Sequence, residues 1–190
     1  MIRKSHKGRG FTIVELMIVL GIVGILAALA TYGVRKYMVQ ANTAEAKSNL
    51  GRLGKDAASV FERDQMTGTM LSARGAVAAQ HRLCASALAP VPTTVPRGTK
   101  VQPDPTAWTA GDAVTGWKCL KFTISSPVYY RYAYTATNPA NANTAAFSAT
   151  ATGDLDADGI ASAPWTISGG VLGGAMRLAP NLAEPVDPGE

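Results

Sequence analysis

From Phe11 to Val34 the chain is apolar on every side, 24 residues in which Glu15 carries the only charge. Beyond it the apolar positions thin to a stripe. Val34, Tyr37, Met38, Ala41, Ala44, Leu50, Leu53, Ala57, Val60 and Phe61 recur every three or four residues with polar positions between them. A run apolar all round, followed by a one-sided run, predicts a single helix from residue 11 to about residue 64 whose second half needs a partner surface. At about 1.5 Å per residue it would be roughly 80 Å long. Gly51 and Gly54 each cost up to about 1 kcal/mol in a helix interior, so they mark sites of close sheet-on-helix approach or of slight bending. The turn Met66-Thr67-Gly68-Thr69 ends the element.

The remaining pattern is shorter-ranged. Residues 75–89 predict a short second helix with Val77, His81, Cys84 and Leu88 on one face, and prolines 90, 92, 96, 103 and 105 define an extended surface loop to about residue 106. From residue 117 the period changes to two, which predicts strands at 117–124, 128–134, 145–152 and 165–168. Tyrosines 129, 130, 132 and 134 fall in the second of these, with at most half expected on one side. Short Pro, Asn and Gly connections favour an antiparallel meander whose apolar face covers the helix stripe. The fold class is α+β: a long N-terminal α-helix, membrane-spanning in its first half, packed on a small antiparallel β-sheet head. The divisions are a leader at 1–10, a span at 11–34, an amphipathic continuation at 35–64, a connection at 65–116 and the head at 117–190.

Composition sharpens this picture. Of 190 residues, 47% are hydrophobic and 16% charged, which excludes a disordered tail protein and allows one modest domain plus an unusually apolar segment. The net charge of +5 is local: Arg3, Lys4, Lys7 and Arg9 precede residue 11, leaving fourteen basic residues against thirteen acidic ones. No nucleic-acid footprint follows from that balance. The span reaches about 36 Å, enough for a hydrocarbon layer of about 30 Å. Its basic leader outweighs Arg35-Lys36 on the far side, so residues 1–10 are expected in the cytoplasm and everything beyond residue 35 outside it. An ordinary secretory signal would be shorter and cleaved on its far side, an alternative that Ala27, Ala28 and Ala30 leave open.

Glu15 is the anomaly, since a carboxylate in such a helix costs about 2–3 kcal/mol at mid-bilayer. Either it lies near the interface and reaches water, or it meets a cation. The span supplies no Lys or Arg. Cleavage after Gly10 would create a positive amine one helical turn away. Gly21, Gly24, Ala27 and Ala28 allow backbones of neighbouring spans to approach, and Gly24 with Ala28 forms a small-xxx-small pair.

These residues carry a resemblance. GRGFTIVELMIVLGIVGILAALA, residues 8–30, resembles the prepilin signal of type IV pilins and type II secretion pseudopilins. The resemblance implies a pilin-like fold and a membrane prepilin peptidase that cuts between Gly10 and Phe11 on the cytoplasmic side and methylates the new N-terminus at Phe11. It also implies that Glu15 neutralises the terminal amine of a neighbouring subunit during assembly. The expected function is that of a structural subunit: held in the inner membrane as a precursor, handled by inner-membrane assembly machinery, and packed as a homo-oligomeric helical filament, an extracellular type IV pilus on the cell surface. A pseudopilin of a periplasmic pseudopilus, a minor initiating pilin and a monotopic membrane-anchored binding protein stand as alternatives. The chain departs from many type IVa pilins in having Ala30-Thr31-Tyr32-Gly33 where those carry a proline, which leaves Gly24 and Gly33 as the weak points of the helix.

Three smaller constellations complete the reading. Cys84 and Cys119 are the only cysteines, both on the oxidising side of the expected topology, and pairing them is favoured over two separate buried thiols. Asp154, Asp156 and Asp158 stand at alternate positions before Gly159, the spacing of a calcium loop. The twelfth position of that loop is Trp165 rather than a bidentate glutamate, so a calcium-stabilised loop and a solvated acidic turn both remain open. No other cofactor is expected. His81 is the sole histidine beyond the span and no nucleophile elbow or phosphate-binding loop occurs, so no catalytic activity is expected.

Overall fold

The structure, a computed structural model, describes residues 10–63, 81–137 and 144–185. Residues up to 38 form one compact unit and those from 39 onward a second, with helix α1 (Ile13–Glu62, 50 residues) contributing to both. Leader residues 1–9, the turn at 66–69 and the first part of the expected second helix, 75–80, lie outside the described residues.

In the first unit every described side chain of the span is exposed. Thr12 is the residue at which helix α1 begins, its carbonyl accepting the first helical hydrogen bond from Leu16 at 3.2 Å.

The second unit is a helix packed on a sheet. Four strands, β1 (Arg131–Thr137), β2 (Ala146–Thr152), β3 (Trp165–Leu172) and β4 (Ala175–Leu178), form an antiparallel meander in the order β1-β2-β3-β4. Its buried residues include Tyr132, Tyr134, Phe147, Ala149, Ala151, Trp165 and Ile167, and they share one core with Ala46, Leu50, Leu53, Ala57, Val60 and Phe61 of α1. The buried stripe therefore runs through Thr43 and Ala46, whereas Ala41 and Ala44 are exposed. Alanine carries too weak a hydrophobic signal to fix the phase of a stripe, and the larger residues from Leu50 onward decide it. Gly54 is a point of close approach: a Cβ there would lie 2.9 Å from Ile167 Cδ1. Gly51 has nothing within 4 Å of its Cβ position.

Several local expectations are corrected. Residues 81–89 are not helical, because their backbone is committed elsewhere: Ala85 N–H donates to Val114 O at 2.9 Å and Ala87 N–H to Tyr134 O at 3.0 Å. Cys84 is fully buried while Leu88 is exposed, which one helical face would not permit. The expected strand at 117–124 is instead a one-turn helix, α2 (Gly116–Leu120), followed by an extended segment. Asp112 starts it by accepting from Val114 and Thr115 N–H, both at 2.8 Å. Trp117, Cys119, Phe122 and Ile124 are buried, so the apparent alternation came from a helical turn joined to an extended tail. Three of the four tyrosines, 130, 132 and 134, share the buried face, and Tyr129 is half-buried. Strand β4 had no forecast, although Gly173-Gly174, both at positive φ (63° and 80°), form the two-residue hairpin that creates it.

The Pro-rich loop lies along the head and is stitched to it. Val91 exchanges two backbone hydrogen bonds with Tyr132 of β1, Val101 exchanges two with Val128, and Gly98 N–H donates to Asp154 O at 2.7 Å. On the far side of the sheet, Ala183 exchanges two hydrogen bonds with Thr166 of β3.

Candidate functional site

Three of the sequence-predicted residues of the first unit, Gly10, Phe11 and Glu15, lie at the start of α1. Thr12 and Glu15 form a reciprocal cap: Glu15 N–H donates to Thr12 Oγ1 at 3.2 Å, and Thr12 N–H donates to Glu15 Oε2 at 2.8 Å. The Thr12 hydroxyl also donates to Oε2, at 2.9 Å. This T-x-x-E arrangement satisfies backbone donors that a helix N-terminus otherwise leaves orphaned. Its signal was present in Thr12-Ile13-Val14-Glu15, and Thr12 is the functional residue that reading Glu15 as an isolated charge overlooks. One carboxylate oxygen is thereby used locally. Oε1 accepts no hydrogen bond among the described residues and is left for an outside donor.

The cap also fixes where regular structure begins. Gly10 and Phe11 precede it, outside the helix and exposed, Phe11 at 89%. A Cβ on Gly10 would meet nothing within 4 Å, and the same is true of Gly21 and Gly24. The fold of a single chain thus gives no steric reason for glycine at any of these positions. Ala28 is likewise exposed, its carbonyl accepting from the Thr31 hydroxyl at 2.8 Å. The span is long and apolar enough to cross a membrane.

Residues 5–31 match the family model described as the prokaryotic N-terminal methylation motif. The chain has the prepilin-type N-terminus of type IV pilins and type II secretion pseudopilins. The type IV major pilin protein PilA of Myxococcus xanthus (strain DK1622) is 44% identical over 64 residues, which make up 33% of this chain and 29% of that protein. The similarity to PilA thus spans about a third of this chain and less than a third of PilA, and it is the prepilin-type end that carries it. No solved structure matches the chain.

The remaining predicted residues belong to the second unit. Cys84 and Cys119 are joined by a disulfide across 35 positions, tying the segment before the Pro-rich loop to α2. The Tyr134 hydroxyl donates to Cys84 O at 3.2 Å beside it. Carboxylate oxygens of Asp154, Asp156 and Asp158 lie within 4.8 Å of one another. Asp154 is buried and the other two are exposed. His81 contacts the end of α1, its Nδ1 2.9 Å from Phe61 O and its ring 5.7 Å from the Phe61 ring.

Proposed function

We propose that the chain is a structural subunit of an extracellular type IV pilus, matured by cleavage between Gly10 and Phe11 and by methylation of Phe11, and assembled through its apolar helix. The observation that carries this reading is the exposure of the whole apolar half of α1, which in water would be untenable and which lipid, then neighbouring copies, would cover. Glycines with no intrachain steric reason support it, because close approach by another span is what would use them. Heterologous, head-to-tail contact of one surface with another on the next copy generates an open helix rather than a closed ring.

Glu15 gives the assembly its register. In the precursor, Gly10 and Phe11 share a peptide bond and no amine exists at that point. Cleavage creates one, and the free Oε1 of a neighbouring subunit's Glu15 is its counter-charge. Pairing two charges in an apolar setting is favourable only when neither is left alone, which penalises any register that misses the pair. The cap through Oε2 holds the carboxylate ready.

The experiment is production of the full chain alongside a type IV assembly machinery, with N-terminal sequencing of filaments sheared from the cell surface. Mature chains should start at methylated Phe11. Glu15→Ala should insert in the inner membrane and be cleaved, yet yield few or no filaments. Wild-type filament yield from Glu15→Ala, or surface filaments that retain the leader, would refute the reading. Short assemblies confined to the periplasm would identify a pseudopilus subunit instead.

A further inference from the structure

We propose that the head carries a cleft for a singly charged acidic sugar, a uronate, between the Pro-rich segment, the first residue of β1 and the loop that follows β2. The cleft encloses about 570 Å³. That volume lies in the range of small-molecule sites, about 300–1,000 Å³, and exceeds what a lone inorganic anion fills. Its lining comes from three separate stretches of chain and brings two arginines, Arg97 and Arg131, into one cavity.

Neither guanidinium is fully neutralised. Arg131 is half-buried, and its guanidinium makes no hydrogen bond or ion pair among the described residues. Arg97 is paired only at the limit of contact: its Nε lies 3.9 Å from Asp154 Oδ2, an oxygen that already accepts from Gly159 N–H at 3.0 Å. The Arg97 side chain is 69% exposed, and its Nη groups donate to nothing among the described residues. Two cations thus share the cleft with one carboxylate, and a cleft left positive draws in negative charge. A guanidinium presents a planar fork that matches the two oxygens of a carboxylate, so two such forks with open N–H groups are a ready counterpart for one.

The rest of the lining narrows the class. Asp154, 2% exposed, puts a fixed negative charge at the cleft, which repels a phosphate dianion more than a singly charged carboxylate. Thr93 and Thr94 are exposed, and their hydroxyls can donate to and accept from hydroxyls of a ligand. Val95 and Ala161 offer apolar contact to the C–H face of a pyranose ring. One carboxylate, several hydroxyls and one apolar face describe a uronate. The walls are held in place without a ligand: on one side of residues 93–97 Val91 exchanges two backbone hydrogen bonds with Tyr132, and on the other Gly98 N–H donates to Asp154 O at 2.7 Å. Gly159, at φ 93°, leaves the space beside the Arg97 guanidinium open, since a Cβ there would lie 3.9 Å from Nη1. Walls fixed in advance lose less to ordering when a ligand binds. Every lining residue belongs to the head, so the cleft does not depend on assembly.

The test is saturation-transfer NMR of the full chain in detergent at neutral pH, titrated with sodium glucuronate or with glucose, and with inorganic phosphate as a competitor of glucuronate. Glucuronate should bind saturably with a Kd of about 1 mM, the affinity expected of about a dozen non-hydrogen atoms. Glucose should bind roughly tenfold more weakly, and phosphate should displace glucuronate only at roughly tenfold higher concentration than glucuronate itself needs. Arg97→Gln and Arg131→Gln should each keep the far-ultraviolet dichroism of the wild type and lower glucuronate affinity roughly tenfold. Arg177→Gln, an exposed arginine of β4 outside the cleft, should leave that affinity unchanged. Because Arg97 is exposed, its variant decides the outcome even where Arg131→Gln does not fold. Equal affinity for glucose, equal competition by phosphate, an equal loss in Arg177→Gln, wild-type affinity in Arg97→Gln, or no saturable signal up to about 10 mM glucuronate would overturn the proposal.

Discussion

Asn49 of α1 donates its side-chain amide to the hydroxyl of Tyr132 in β1 at 2.8 Å, a polar link in a helix–sheet contact made largely of hydrocarbon. Tyr132 is fully buried, and burial pushes its hydroxyl pKa above the ordinary tyrosine range, with the Asn49 hydrogen bond opposing. The hydroxyl is thus a neutral group whose satisfaction depends on Asn49. Asn49→Ala should therefore destabilise the head by about 1–3 kcal/mol, the cost of an unpaired buried polar group, whereas Tyr132→Phe removes the buried hydroxyl and leaves the half-buried Asn49 amide to find water, and should cost about 0.5–1.5 kcal/mol. Denaturant unfolding of the two variants checks the order.

The two glycines of the packed half of α1 should respond in opposite directions. Gly51→Ala meets no neighbour and removes a helix-interior glycine, so it should stabilise by about 0.5–1 kcal/mol. Gly54→Val would drive a branched side chain into Ile167 of β3 and should cost about 1–3 kcal/mol. Equal shifts in melting temperature for both would contradict the close approach at Gly54.

Opening the Cys84–Cys119 bridge frees a loop of 35 residues, which on the chain-entropy account removes about 4 kcal/mol of stability. For a unit of this size the melting temperature should fall by roughly 10 °C on reduction or in the Cys84→Ser, Cys119→Ser variant. Thermal melts with and without reductant decide it, and the double variant should be insensitive to reductant.

Acid titration should separate two kinds of aspartate. Burial raises the Asp56 carboxyl above its ordinary pKa of 3.8, outweighing Arg52 and Arg63. Its folded form holds the proton more tightly, so the associated stability is present below the unfolded pKa and lost as pH rises through the raised one. Asp56→Asn should melt higher than wild type at pH 7, and the gain should vanish below about pH 3.8. Asp104 and Asp112 behave inversely: hydrogen bonds from the backbone of Thr106 and of Val114, respectively, hold them below the ordinary range. Their contribution is present at neutral pH and lost as pH falls through the lowered values, so Asp104→Ala and Asp112→Ala should weaken the head at pH 7 and not near pH 2. Melting temperature followed from pH 7 down to about pH 2 reads both signs.

What was legible in the chain was whatever rested on long, strong periodicity. Twenty-four residues whose only charge is one acid define the span without help from tertiary structure, and Leu50, Leu53, Ala57, Val60 and Phe61 define the packed stripe. Strands β2 and β3 were readable because their turns and their alternation agree. Residues 81–89 and 117–124 depart from their sequence pattern because long-range and local backbone partners set their form. Ala87 is extended because Tyr134 accepts its hydrogen bond, and Trp117 turns into a helix because Asp112 caps the preceding turn. At the N-terminus, Glu15 stood out by charge, while Thr12 was masked by being polar, small and ordinary. Its role emerges only when spacing to the acid is considered. In the acidic loop the spacing was plain, and the burial of Asp154 alone was not, since it depends on the Pro-rich segment lying against it.

The stitching of that segment has a wider effect. Strand β1 would otherwise display a row of unsatisfied amides and carbonyls, the template on which foreign chains add themselves, but Ala87 and Val91 occupy it from the same molecule. Crowded copies of such a head find no free ribbon along β1, so sticking sideways by strand exchange at that edge is disfavoured.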